Sequence, residues 1–337
     1  MIARFAKTIT KFLAFSCLFY VLLVILWGEL FAGANLKKNI LYTREGSSLL
    51  HNMLREAEEV RNVDVLILGS SHAYRGFDIR IFEREGMKTF NLGSSNQTFI
   101  QTKALLEDYL DQINPKMVIF EVYPEIFEKD GVESAVDIAS NKPLNKRVLN
   151  MVRQTNNIMV INSFIYASFK DITDPLFKFK GYSSSGDDLY ISGGYVRKYS
   201  NQKFSLPEEQ NQVHWQPRED QVQAFGECLD ILEQRNIEVV LVYAPIPQTT
   251  YSEYKNKDEI KTFFENTRHT FLDYNKGVDL VDTLHFYDHE HLNHAGVEIF
   301  NNHLIQDFRR KGYFPQKIRA SRSDKVTNRY DINATAN

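Results

Sequence analysis

Read as a pattern of apolar and polar positions, the chain opens on one long run without charge. Residues 1–11 carry Arg4, Lys7 and Lys11, and from Phe12 to Gly28 no charged residue occurs. A run of about 17 residues is at the short end of what a spanning helix needs, and longer than most signal-peptide cores. It predicts a single N-terminal anchor over 1–34, while Ala32-Gly33-Ala34 leaves a cleavable signal peptide open. Basic residues crowd its amino side and Lys37 and Lys38 come later on the other. The positive-inside rule therefore puts the N-terminus in the cytoplasm and the rest of the chain outside it. Residues 35–61 turn polar, with Leu49, Leu50, Met53, Leu54 and Ala57 at helical spacing, which predicts an amphipathic connecting helix.

From residue 62 the pattern changes to short continuous apolar runs that alternate with segments of helical period. The runs at 63–68, 87–92, 116–123, 237–244 and 270–273 predict strands, the first of them buried and parallel and the last of them short. Between and after them, helices are predicted over 77–85, 98–113 and 218–235. A final helix carries Val297, Phe300, Leu304 and Phe308 on its buried side, with Asn293 as its cap. The alternation predicts a three-layer α/β/α sandwich around a parallel five-stranded sheet over 62–312. Residues 125–217 interrupt it with an apolar helical patch (158–169) and two stretches rich in glycine, serine and tyrosine. An insertion of that length reads as a cap or substrate-binding elaboration, or as a packing excursion. Residues 313–337 are polar, basic and without period, a disordered tail by composition.

Composition narrows the function classes. Hydrophobic residues make up 43% of 337, enough for a large core, and the net charge of −3 gives no basic field for nucleic acid. Cys17 and Cys228 lie far apart, so no disulfide framework is expected, and their scarcity does not fix the compartment.

Candidate chemistry stands at two places. Gly69-Ser70-Ser71-His72 follows the first strand, and in open α/β sheets the crevice beyond the strand ends is where ligands bind. Ser71 is the candidate nucleophile; the alternative is that Ser70 and Ser71 only cap a helix. Near the other end stands Asp288-His289-Glu290-His291-Leu292-Asn293-His294-Ala295-Gly296. Asp288 and His291, three apart, would share one face of a helical turn, so that the carboxylate holds the imidazole and the imidazole faces a hydroxyl. His285, His289, His291 and His294 could instead be metal ligands. The segment is not His-Glu-x-x-His, however, because Asn293 stands fourth after His289, and no metal or other cofactor is expected. His72 is expected to pack locally rather than to act as the base.

Gly69-Ser70-Ser71, Asn91-Leu92-Gly93 and Asp288-x-x-His291 resemble blocks I, II and V of the SGNH (GDSL-like) hydrolase superfamily, over roughly 62–312. The resemblance implies Ser71 as nucleophile, His291 as base, Asp288 as the orienting acid, and the Ser71 and Gly93 N–H groups as an oxyanion hole. The third block, Gly-x-Asn-Asp, is replaced by Glu121-Val122-Tyr123-Pro124-Glu125, so the oxyanion asparagine is missing, with Asn96 or Tyr123 as candidate replacements. Together with the anchor, this pattern is similar to SGNH proteins that work beside membrane-bound O-acyltransferases on cell-envelope or exported polysaccharides. It implies an O-acetyltransferase or O-acetylesterase acting on an extracytoplasmic glycan, tethered to the cytoplasmic membrane and partnered by such an acyltransferase. The alternatives are a non-catalytic accessory protein of the same fold that binds glycan or the membrane partner, and an intracellular lipase or thioesterase.

Overall fold

The computed structural model describes residues 1–30, 39–44, 49–199, 204–205 and 212–316. Ala32-Gly33-Ala34, Lys37, Lys38 and the tail from 317 lie outside the described residues. In chain order come α1 (Ile2–Leu30), α2 (Leu50–Glu59), β1 (Val65–Leu68), α3 (Ser71–Gly76), α4 (Ile79–Arg84), β2 (Thr89–Asn91), α5 (Phe99–Ile113) and β3 (Met117–Glu121). The insertion holds α6 (Val132–Asn141), α7 (Lys146–Thr155), α8 (Ile158–Thr173), β4 (Ser184–Ser185), β5 (Asp188–Ile191) and β6 (Tyr195–Lys198). After it follow α9 (Glu219–Glu233), β7 (Glu238–Tyr243), α10 (Gln248–Glu253), α11 (Lys257–Glu265), β8 (Thr270–Asp273), α12 (Asp282–His285) and α13 (His294–Lys311).

The main sheet is parallel throughout, in the order β2-β1-β3-β7-β8. Its side chains alternate between two cores. Leu66, Leu68, Val118, Phe120, Val239 and Leu241 face a core that includes α5 and α9. Val65, Ile67, Met117, Ile119, Val240 and Val242 face one built with α4 and α13. Apolar neighbours on both sides are why these strands read as unbroken runs rather than as alternating ones. The chain leaves β1 for β2 on one side and reaches β3 on the other, so the topological switch point lies at the carboxyl ends of β1 and β3.

The structure departs from expectation in the segments that join the strands. The helix expected over 77–85 is Ile79–Arg84, started by Asp78, whose Oδ1 accepts from the Arg80 amide at 3.1 Å, and a separate short helix, α3, precedes it. Two unexpected helices open the insertion. In α7 the cap is Asn145, whose Oδ1 accepts from the Arg147 and Val148 amides at 2.8 and 2.9 Å. The glycine- and serine-rich stretches form an antiparallel sheet, β4-β5-β6, in which Gly186, Gly193 and Gly194 take positive φ at the turns. Among the described residues, α1 is one helix long and apolar enough to cross a membrane. It is exposed along most of its length, with Val24 and Gly28 buried.

Candidate active site

The nucleophile turn is shaped by close packing at the switch point. Gly69 has φ +143°, and a Cβ there would come within 2.8 Å of Glu121 Cβ and 3.0 Å of Ala73 Cβ. Only glycine lets the chain leave β1 so close to β3. Ser70 caps α3, its Oγ accepting from the His72 amide at 3.4 Å. Capping therefore falls to Ser70, and the Ser71 hydroxyl is left for other partners. The Ser71 N–H, at the first position of α3, has no acceptor within that helix.

The Asp288–His291 stretch is not on a helical turn, as its spacing predicts. It lies in a loop closed by an antiparallel bridge between Phe286 and Leu292. Asp288 Oδ1 accepts from the amides of Glu290 (2.9 Å) and His291 (2.7 Å), a side-chain-closed turn that does the work expected of the helix. His291 Nδ1 then lies 3.0 Å from Oδ1 and 2.9 Å from Oδ2 of Asp288, and its Nε2 lies 2.8 Å from Ser71 Oγ. Burial works to raise the Asp288 pKa, but the hydrogen bond and charge of His291 and the two amides outweigh it and hold the carboxyl below its ordinary range. An ionised Asp288 fixes the proton on Nδ1 and leaves Nε2 as the acceptor facing Ser71. Beyond the loop, Asn293 caps α13 as expected, accepting from the Gly296 amide at 3.1 Å.

The His291 ring is held in a column of aromatic rings. Tyr287 stacks on one side with centroids 5.6 Å apart, His72 on the other at 4.9 Å, and Tyr123 lies 4.1 Å beyond His72. His72, expected to pack locally, packs instead on the distant Tyr123 and His291 and meets the Glu290 carbonyl through Nε2 at 3.0 Å, tying the nucleophile turn to the base loop. Burial first, and then the neighbouring His291, push its pKa well below the ordinary histidine value, so it stays neutral and donates from Nε2.

The oxyanion side is arranged differently. The Gly93 N–H donates to Asn91 Oδ1 at 3.0 Å, and Asn91 Nδ2 donates to the Ala73 carbonyl at 2.8 Å. Asn96 Nδ2 donates to Glu133 at 2.6 Å, and the Tyr123 hydroxyl to Glu125 at 2.9 Å. Both side chains considered for the missing asparagine are thus committed to carboxylates. At the end of β3 stands Glu121, its carboxyl buried close to Ser70 and to the amides of Tyr123 and Ala244, with neither oxygen in a hydrogen bond of full geometry. Burial pushes its pKa up to about 8, against the opposing pull of the Ser70 amide and hydroxyl.

The insertion supplies one wall. Arg75 of α3 makes a two-pronged ion pair with Asp188 of β5 at 2.8 and 2.7 Å. The Gly193 carbonyl accepts from the Asn91 amide at 2.8 Å, and a Cβ on Gly194 would lie 2.0 Å from the Asn91 carbonyl oxygen. A cavity of about 250 Å³ opens between these elements, lined by Met53, Tyr74, Gly93, Ser94, Tyr190 and Val196 among others. Asn91, Arg75 and Asp188 were not singled out from the sequence. Asn91 stood inside a quoted block with no role, and nothing local pairs Arg75 with a residue 113 positions away. The remaining histidines point apart: His285 Nδ1 accepts from the Val281 amide at 2.7 Å, the His289 ring meets Phe204, and His294 lies 3.8 Å from Glu298.

No family model matches the chain, and no curated protein does. Among solved structures it is similar to a proposed acylhydrolase from Bacteroides fragilis NCTC 9343, at 13% identity over 79% of this chain and 97% of that one, with a TM-score of 0.39. It is also similar to a GDSL-like lipase from Bacteroides thetaiotaomicron VPI-5482, at 11% identity over 78% and 99%, with a TM-score of 0.38. Neither likeness bears on what the site acts upon.

Proposed function

We propose that the chain is a serine-dependent acyl-transfer enzyme with Ser71 as nucleophile, His291 as base and Asp288 as the orienting acid. The observation that carries this reading is the 2.8 Å contact between Ser71 Oγ and His291 Nε2, in one row with Asp288. Ser71 Oγ attacks an ester carbonyl while His291 Nε2 takes its proton, and Asp288 stabilises the imidazolium. The tetrahedral oxygen is met by the Ser71 N–H and, once it leaves Asn91, by the Gly93 N–H. Collapse expels the alcohol, which takes its proton from His291, and leaves an acyl-Ser71 for water or a second hydroxyl to accept.

The substrate we favour is an O-acetylated glycan outside the cytoplasm, with a membrane-bound O-acyltransferase as partner. Aromatic faces and hydroxyls around the cavity beside Gly93 suit a sugar ring, and α1 suits a tether. Alkaline phosphatase fused after Gly312 would be active under this reading and inactive if the domain faced the cytoplasm. The accessory-protein reading draws on the committed Gly93 N–H. Turnover of 4-nitrophenyl acetate by the full-length protein in detergent separates the two. Ser71→Ala should lower it at least about a thousandfold with unchanged circular dichroism. Wild-type turnover no faster than that of Ser71→Ala would sink the enzyme reading.

A further inference from the structure

Helix α8 buries the polar Asn162 and Ser163 beside Val160, Tyr166 and Ala167 on its inward side, and exposes large apolar side chains at both of its ends. Its inward side lies along the end of α1. Tyr20 donates to Asn162 at 2.5 Å, Tyr166 to Glu29 at 2.9 Å, and Lys170 Nζ lies 3.6 Å from Glu29. A Cβ on Gly28 would fall 2.3 Å from the Tyr166 ring, so glycine is what lets the two helices approach. Because the partners ascend together on both helices, α1 and α8 run side by side in one direction over the last third of α1. Other inward groups are also taken: Asn162 donates to the Asn39 carbonyl at 3.2 Å, and Ser163 Oγ accepts from the Leu41 amide at 2.9 Å.

Ile158, Ile161, Ile165, Phe169 and Ile172 are spaced by threes and fours along one face, its middle three half-buried against neighbouring side chains and its two ends exposed. Ile158 is 59% exposed and Ile172 82%, with Phe177 just beyond at 77%. On a water-facing helix this stripe would be polar. In lipid the requirement is the one α8 meets, with polar groups satisfied inside the protein and apolar ones presented outside.

We infer that α8 is a second membrane-contacting element, its isoleucine stripe resting against lipid beside α1. The inference rests on α1 being a membrane span. α1 exposes Leu22, Leu23, Leu26 and Leu30 along the same stretch that packs on α8, so a bilayer that covers one helix there reaches the other. It offers none of the small or hydrogen-bonding side chains by which helices associate within membranes, so lipid is favoured over a partner helix. The consequence is that the domain is seated on the membrane at a fixed orientation rather than swinging on a stalk.

The test uses the full-length chain with Cys17→Ser, in nanodiscs made with or without spin-labelled phosphatidylcholine. With Cys228 left in place because it is fully buried, cysteines introduced one at a time as Leu23→Cys in α1, Ile158→Cys and Ile172→Cys in α8, and Lys261→Cys in α11 carry a bimane fluorophore. Ile172 and Lys261 are exposed, so labels there displace no core side chain. We expect lipid spin labels to quench the Ile158 and Ile172 positions to the same extent as Leu23, and iodide to quench only Lys261. Quenching of Ile158 and Ile172 by iodide, with Leu23 quenched by lipid, would place α8 in water and overturn the inference while leaving the anchor standing. Protection of both from either quencher would mean a protein partner covers the stripe, which overturns it as well. A Leu23 position quenched by iodide would remove the anchor itself, and the inference with it.

Discussion

The two sides of the site differ in how far they are committed. On the side of the base, every polar atom is already where acyl transfer needs it: Asp288 holds His291 twice over, and His291 reaches Ser71. On the oxyanion side the donors are engaged elsewhere, Gly93 with Asn91 and Asn96 with Glu133. The base row is closed by short-range contacts within one loop and needs nothing from the substrate. The oxyanion side is built on Asn91, which the Gly193-Gly194 turn of the insertion presses from behind. The difference teaches that nucleophile activation is preformed here, whereas charge stabilisation requires Gly93 to exchange a neutral amide oxygen for a charged one. Removal of a single oxyanion donor commonly costs about 100- to 1,000-fold in rate, so an enzyme with this arrangement is expected to be slow on small esters.

Three variants break or sharpen that contrast. The largest effect is expected on the committed side. Asp288→Asn preserves the shape of the loop but removes the charge that sets the imidazole tautomer, and kcat should fall by about 10⁴. Steady-state kinetics on a small acetyl ester would check this, and a fall of less than about tenfold would mean that the row is not what activates Ser71.

The second effect is on stability and concerns the carboxyl that lies between the two sides. Glu121 has an ordinary pKa of 4.5 and a folded value pushed up to about 8. The folded state therefore holds a proton that the unfolded chain has already lost. The stability that Glu121 contributes is greatest below pH 4.5, falls through the window from there to about 8, and then levels off. The slope within that window is about 1.4 kcal/mol per pH unit at most. Glu121→Gln removes the titration, so its melting temperature should pull ahead of the wild type as pH rises from 5 to about 8. Parallel melting curves across that range would show that Glu121 is not held neutral.

The smallest effect is expected at Asn96, whose amide is taken by Glu133. Asn96→Ala should leave kcat/KM within about twofold, because that amide is bound to Glu133 rather than turned to the oxyanion. A fall of a hundredfold would show that Asn96 turns to the oxyanion when substrate binds.

What could be read from the sequence followed from how local each feature is. β1, β3 and β7 were legible because both faces of each are apolar, β2 and β8 as shorter runs in the same alternation, and α5, α9 and α13 because each buries one stripe. Sheet order was not, since nothing within β1 says that β2 and β3 flank it. Ser71, Asp288 and His291 were legible from residue types and spacing, yet the conformation behind the Asp288–His291 spacing is a side-chain-closed turn rather than a helix. The short helices α6, α7 and α10 to α12 escaped because segments of so few turns show little periodicity. The Arg75–Asp188 pair and the bridging role of Asn91 are tertiary facts. They exist only once the insertion folds back onto the nucleophile turn.

The most direct test of the central claim is the site of covalent modification. The full-length protein, treated with a fluorophosphonate that phosphonylates activated serines, would be digested and its peptides weighed by mass spectrometry. We expect one adduct, on the peptide containing Ser71, formed in the wild type and lost in His291→Ala while circular dichroism is unchanged. An adduct on another residue, or labelling of Ser71 that survives His291→Ala, would contradict the assignment of His291 as the base that activates Ser71.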